Sequence, residues 1–177
     1  MCRPWTPHRR DGRGTHTAMT PAVPFSDMLE PGTDAPRFTL QNQDGEKVSL
    51  PEEGLAVVYF YPRADTPGCT TEACSFRDLW DEFETRDIDV FGISDDPVPA
   101  LATFAEKYDL PVHLLSDTDG EVSRAYDSYG EKNVFGNVVE GVFRNTYVVR
   151  HGEIALAYEG VEPDEHAEEV LADIDAL

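Results

Sequence analysis

The sequence predicts an α/β domain in which helices flank a mixed central sheet. Short apolar runs, typical of buried strands, alternate with segments of helical periodicity through the middle of the chain, and this alternation favours a parallel sheet. Two pairs of extended segments separated by turn signals, one early and one late, predict antiparallel hairpins. At 177 residues the chain is long enough for one domain with a sizeable core.

The first half of the domain is predicted to hold a hairpin followed by alternating strands and helices. Gln43-Asp44-Gly45 is the turn signal of the hairpin, apolar runs mark the strands, and aromatic residues at helical spacing mark the first helix. Pro97 or Pro99 can open the second helix, because proline suits the first turn. In order, these elements are a hairpin at 37–50, a strand at 55–61, a helix from about 67 to 85, a strand at 88–94 and a helix ending at 108.

The second half is predicted to end in two antiparallel strands and an amphipathic helix. Three glycines at 130–141 predict a loop between the two groups of elements. The elements are a strand at 112–116, a short helix at 122–129, strands at 142–149 and 153–159, and a helix at 163–177. A βαβ unit followed by a ββα unit is a thioredoxin-like arrangement, here with an N-terminal β-hairpin.

The first 27 residues differ from the rest of the chain. They are rich in Pro, Gly, Thr and Arg and lack the apolar stretch of a secretory signal. We expect residues 1–27 to be a disordered or mis-assigned extension, with Met19 and Met28 as alternative starts. The domain proper is then 28–177.

Charge excludes several classes of partner. The chain has 35 acidic and 14 basic residues, a net charge of −21, spread along its length. Such acidity argues against nucleic-acid binding and against an anionic membrane surface. No run is long and apolar enough to predict a membrane span. Dispersed acidity with only three lysines favours a cytoplasmic protein from a halophile over an ordinary acidic soluble protein.

The most informative residue is Cys69, which lies where a predicted strand gives way to a predicted helix. Unpaired N–H groups and the positive end of the helix dipole stabilise a thiolate at that place, and the thiolate is the reactive form. Only Cys2 and Cys74 accompany it, so this is not a disulfide-rich secreted scaffold. Two cysteines five apart without a nearby histidine do not make a metal site.

The spacing of Cys69 and Cys74 restricts what they can do together. Within one helix their Cα atoms lie roughly 8–9 Å apart. A disulfide needs Cα atoms within about 7 Å, so if the two join, the first turn must unwind. Cys74 is alternatively a structural cysteine on the core face of the helix.

The segment around Cys69 closely resembles the signature of the peroxiredoxins. The family pattern Pro-x-x-x-Thr-x-x-Cys is matched by Pro62, Thr66 and Cys69. Within the family, the chain is similar to the bacterioferritin comigratory protein or peroxiredoxin Q subgroup, which has a second cysteine five residues after the first, matched here by Cys74. The resemblance covers about residues 28–177. The family places an arginine from a later strand near the thiolate, and Arg144 matches it, although Asn145 stands where the subgroup usually has Ser or Thr.

This resemblance implies a thiol-dependent peroxidase for hydrogen peroxide and organic hydroperoxides, with no bound cofactor or metal. It implies that Cys69 becomes a sulfenic acid, that Cys74 resolves it as an intramolecular disulfide, and that a thioredoxin-type dithiol recycles the enzyme as a monomer. Arg144 would hold the thiolate and polarise the peroxide, Thr66 would offer its hydroxyl, and Pro62 would shield the sulfur. The alternatives are a solvated arginine at 144 and a Thr66 that only caps the helix.

Two rival functions remain open from the sequence. One is a one-cysteine peroxidase in which Cys74 is structural, and the other is a non-enzymatic redox sensor or holdase that uses the same thiol. A disulfide reductase is disfavoured because there is no Cys-x-x-Cys. Among the acidic residues, Asp95 and Asp96 are interpreted as solvated charges. Glu72 is interpreted as a first-turn acid that suits the helix dipole, and a hydrogen bond to Arg77 or Arg144 is the alternative.

Overall fold

The computed structural model of the chain describes residues 28–177, so the extension predicted at 1–27 lies outside the described residues. The described part forms nine strands and five helices. The strands are β1 (Thr39–Asn42), β2 (Lys47–Ser49), β3 (Leu55–Phe60), β4 (Ile88–Ser94), β5 (His113–Ser116), β6 (Tyr129–Val134), β7 (Asn137–Val142), β8 (Thr146–Arg150) and β9 (Glu153–Tyr158). The helices are α1 (Pro67–Asp78), α2 (Trp80–Thr85), α3 (Val98–Tyr108), α4 (Glu121–Ala125) and α5 (His166–Asp175). Within residues 28–177, none of these helices has the length and apolar character that a membrane span needs.

Seven strands form one mixed sheet in the order β2-β1-β5-β4-β3-β8-β9. The inner strands β3, β4 and β5 run parallel, and the remaining pairs are antiparallel. The predicted α/β fold with a mixed sheet, flanking helices and an N-terminal hairpin is confirmed.

Strand β3 is apolar along its whole length because both faces of the sheet are covered. Val57 and Tyr59 point into a cluster shared with α1, α2, α3 and α5. Val58 and Phe60 point into a second cluster on the opposite face, which includes Tyr126. A strand buried on both faces needs apolar residues at every position rather than at alternate ones.

Two expected elements differ in the structure. The helix expected from 67 to 85 is two helices, because Leu79 leaves helical geometry (φ −105°, ψ 14°) between α1 and α2. The loop expected at 130–141 is wrong, since β6 and β7 pair there as an antiparallel ribbon apart from the main sheet. Its turn, Phe135-Gly136, has positive φ at both residues (51° and 83°), as a two-residue hairpin turn requires.

The pairing of β3 with β8 fixes where the functional residues meet. The register runs from Leu55 opposite Arg150 to Tyr59 opposite Thr146, and the Phe60 amide donates to the Asn145 carbonyl at 2.7 Å. Because the strands are antiparallel, the end of β3 and the start of β8 lie at the same edge of the sheet. The chain that leaves β3 towards α1 and the chain that enters β8 therefore face each other.

Candidate active site

Cys69 occupies the third position of α1, beyond the carboxyl end of β3. Pro67 opens the helix where the missing N–H of proline costs nothing. The cysteine side chain is only 1% exposed and carries a free thiol. Backbone N–H groups in a first turn lack helical acceptors, and the dipole there is positive, so an anionic sulfur is stabilised at this position.

Arg144 reaches Cys69 from the connection between β7 and β8, 75 residues further along the chain. Its Nη2 donates to the Cys69 Sγ at 3.3 Å, while its Nη1 donates to Glu72 Oε2 at 2.6 Å. The planar guanidinium thus spans a thiol and a carboxylate at once. A lysine ammonium, a compact point charge, cannot reproduce this fork.

Gly68 makes room for the arginine. A Cβ at this position would lie 3.0 Å from Arg144 Nη2 and 3.6 Å from Pro163 Cγ. Any side chain there would push the guanidinium away from the sulfur next to it. The glycine that precedes the cysteine is therefore part of the site's geometry.

Glu72 belongs to the site, through the hydrogen bond to Arg144 that the sequence leaves open beside a dipole effect. The expected first-turn position is wrong, because Glu72 is the sixth residue of α1. Its side chain is fully buried, and burial raises its pKa to about 7 despite the opposing effect of Arg144. Arg144 binds Oε2, whereas Oε1 has no hydrogen-bond partner among the described residues. The available signal was the spacing of three from Cys69, which puts both side chains on one helix face.

Thr66 and Pro62 lie in the loop that leads from β3 into α1. Thr66 takes the N-cap position, but its side chain makes no cap hydrogen bond and instead donates to the Arg63 carbonyl at 2.8 Å. A hydroxyl that donates one bond keeps its acceptor capacity. Pro62 is partly buried at the start of the same loop.

Asp96 holds this loop from the inside. Its Oδ2 accepts from the Ala64 amide at 2.7 Å and from the Ser94 hydroxyl at 2.9 Å, and the residue is 9% exposed. The interpretation of Asp96 as a solvated charge is therefore wrong. The carboxylate turns back beneath the loop just beyond β4, a placement that depends on the tertiary fold and is not visible in the local sequence.

Cys74 follows in the same helix and is 4% exposed. Because α1 is continuous from 67 to 78, an intact helix separates the two cysteines. Cys69 carries a free thiol, so the two sulfurs are not bonded to each other. A bond between them requires α1 to open first.

Comparison with known proteins bears directly on this cysteine, arginine and loop. Residues 31–157 match the model of the AhpC/TSA family. The chain belongs to the AhpC/TSA family. It is 45% identical over 149 residues to a Mycobacterium tuberculosis protein named as a peroxiredoxin, covering 82% of this chain and 95% of the relative. It is 41% identical over 146 residues to peroxiredoxin Bcp of Escherichia coli, covering 81% and 94% respectively.

Solved structures agree with this assignment. The bacterioferritin comigratory protein of Xanthomonas campestris superposes with a TM-score of 0.76 at 32% identity, covering 83% of this chain and 98% of that one. That structure comes from work on that protein's alkyl peroxide reduction activity. The predicted thioredoxin-like fold and peroxiredoxin resemblance are confirmed, and this AhpC/TSA protein is a thiol-dependent peroxidase.

Proposed function

We propose that Cys69 is the peroxidatic nucleophile and that it reduces hydrogen peroxide and organic hydroperoxides. The observation that carries this proposal is the 3.3 Å contact from Arg144 Nη2 to a cysteine sulfur in the first turn of a helix. The thiolate attacks the terminal peroxide oxygen, an S–O bond forms and the O–O bond breaks. The departing hydroxide or alkoxide takes up a proton to give water or an alcohol, and Cys69 is left as a sulfenic acid.

Three groups assist this displacement. Arg144 supplies a charge-assisted donor that stays beside the sulfur as negative charge moves onto the peroxide oxygens. Amide groups of the first turn of α1 add fixed donors. The Thr66 hydroxyl accepts from the O–H of the peroxide, and Pro62 limits the access of water to the sulfur.

Cys74 resolves the sulfenic acid. Once the start of α1 unwinds, the thiol of reduced Cys74 attacks the Cys69 sulfur, a disulfide forms and water leaves. A thioredoxin-type dithiol then reduces the disulfide and becomes a disulfide itself. The cycle needs no bound cofactor and no second subunit, which fits a monomer working in a reducing cytoplasm.

The test is peroxide turnover with a thioredoxin system, combined with mass spectrometry after one equivalent of peroxide. Wild type should turn over and lose two hydrogen atoms at a mapped 69–74 bridge. Cys69→Ser should be inactive, and Cys74→Ser should react once and then recycle poorly. Cys2→Ser is the matched control and should behave as wild type.

Different outcomes would support the rival functions. A persistent sulfenate or a mixed disulfide in the wild type would mean that an external thiol resolves Cys69, as in a one-cysteine peroxidase. Stoichiometric oxidation without turnover would favour a redox sensor or holdase. Full activity of Cys69→Ser would remove the basis of the proposal.

A further inference from the structure

The ribbon of β6 and β7 brings a lysine towards the active site. Along β6, Glu131 and Asn133 are exposed, whereas Lys132 between them is half-buried, so its side chain lies on the inner face of the ribbon. The chain has two other lysines: Lys47 is exposed on β2, and Lys107 pairs with Asp65 at 2.9 Å. In so acidic a chain, an inward-facing lysine needs an explanation.

Glycines shape the space that Lys132 occupies. Gly130 and Gly141 lie opposite each other in the ribbon, so this cross-strand pair has no side chains. A Cβ on Gly130 would lie 3.0 Å from the Phe143 ring, and a Cβ on Gly141 would lie 3.3 Å from Lys132 Cε. The lysine stem therefore crosses the ribbon over Gly141, and its Nζ comes 6.0 Å from the centroid of the Phe143 ring. Phe143 directly precedes the active-site arginine.

The charges that face Lys132 come from three other parts of the fold. Burial lowers the pKa of Lys132, while the negative charges of Asp95 and Cys69 raise it and Arg144 lowers it. Asp95 follows β4 and also faces Arg63. Together with its position beside the Phe143 ring, this puts Lys132 on the side of the fold where Cys69 and Arg144 meet.

The proposed active site has a charge imbalance that Lys132 can offset. Arg144 is shared between Cys69 and the buried Glu72, so with both ionised, two anions compete for one cation. Tyr59 and Tyr61 also face this cluster, and deprotonation of either would add negative charge. A second cation stabilises the thiolate whenever Arg144 is engaged by the carboxylate.

We propose that Lys132 is the second cation of this active site and that the β6–β7 ribbon serves to hold it beside Phe143, next to the arginine that contacts Cys69. This inference rests on the proposed role of Cys69 as nucleophile. Lys132 acts through its charge, so an arginine at 132 should substitute for it and a neutral side chain should not.

The test compares the pH dependence of the Cys69 thiolate in Lys132→Met and Lys132→Arg with that in wild type. Ultraviolet thiolate absorbance is measured against a matching Cys69→Ser partner of each variant, so that the other cysteines cancel. Lys47→Met is the matched control, because it removes the same charge from an exposed site at the far edge of the sheet. A nearby unit charge in a partly exposed site changes an equilibrium roughly three- to tenfold.

We expect Lys132→Met to move the thiolate titration upward by about half to one pH unit and to slow peroxide oxidation three- to tenfold on the acid side of the midpoint. Lys132→Arg and Lys47→Met should follow wild type. A titration of Lys132→Met that coincides with that of Lys47→Met would overturn the inference. If Lys132→Met does not fold, as judged by circular dichroism, Lys132→Gln makes the same comparison.

The two proposals can fail separately. Wild type without peroxide turnover contradicts the proposed function, whereas the titration tests Lys132 without any turnover. An upward shift in Lys132→Met supports the electrostatic role in either case.

Discussion

Replacing Glu72 with glutamine tests whether a buried carboxylate is held at the active site at an energetic cost. The side chain is fully buried, and Arg144 compensates only one of its oxygens. Glutamine keeps the size and one acceptor oxygen but cannot ionise. The substitution therefore removes the titration while leaving most of the packing in place.

The magnitude follows from the shift of the Glu72 pKa from 4.5 to about 7 on burial. Because the folded state holds the proton more tightly, Glu72 contributes stability that is fully present below pH 4.5 and is lost as the pH rises through about 7. Each pKa unit corresponds to about 1.4 kcal/mol. Between pH 5 and pH 8, the wild type should lose about 2–3 kcal/mol of unfolding free energy that the glutamine variant keeps.

The measurement is the free energy of unfolding in urea at pH 5 and pH 8, under reducing conditions, for wild type and Glu72→Gln. The free energy of unfolding of the variant is subtracted from that of the wild type at each pH, and the two differences are compared. The titration of the other acidic residues cancels in this subtraction. Any cost of burying the new amide is independent of pH and cancels as well. Glu131→Gln, on the exposed face of β6, is the matched control and should show no such change. A difference between wild type and Glu72→Gln that stays constant within about 0.5 kcal/mol would refute the reasoning.

Three further substitutions test the geometry around the site. Gly68→Ala should slow peroxide oxidation without lowering the thermal midpoint, because its Cβ would shift Arg144 Nη2 by a few tenths of an ångström while alanine favours the helix by about 1 kcal/mol; unchanged kinetics would contradict this. Gly92→Ala should destabilise the fold by about 1–3 kcal/mol in urea, since its Cβ would lie 2.6 Å from the Tyr59 ring; wild-type stability would mean that the ring can move freely. Asp96→Ala should lower the free energy of unfolding by about 1–3 kcal/mol and slow peroxide oxidation, because it leaves the Ala64 amide and the Ser94 hydroxyl without their acceptor. An unaltered rate of peroxide oxidation would mean that this anchoring of the loop does not matter for catalysis.

Much of the fold and the centre of the site could be predicted from local patterns. The apolar run at β3, the proline and threonine before Cys69 and the helix after it lie within one short stretch of chain. These features place a reactive cysteine at a helix start without knowledge of the tertiary structure. Arg144 required the family resemblance, because no spacing rule connects positions 75 residues apart.

The remaining errors share a physical cause. Along β7 the residues from Asn137 to Glu140 are all exposed, so this strand lacks the alternation of buried and exposed residues that marks a strand, and the glycines of the ribbon suggest a loop. From the sequence, Asp96 is interpreted as a solvated charge and Glu72 as a first-turn acid of the helix. Their burial is decided by partners from elsewhere in the chain, such as the Ala64 amide and the Arg144 guanidinium. These partners cannot be identified from the residues that surround Asp96 and Glu72 in the sequence.

The antiparallel register of β3 and β8 also bears on how this protein can vary in length. Cys69 and Arg144 are aligned by one pair of neighbouring strands, so the chain between them can lengthen or shorten in its outer loops without moving either residue. By contrast, a residue inserted between Arg144 and the start of β8 would lengthen the short link to β8 and could move the guanidinium by up to about 3.3 Å, the length of one extended residue. The three residues from Phe143 to Asn145 are therefore where this architecture has the least freedom to change in length.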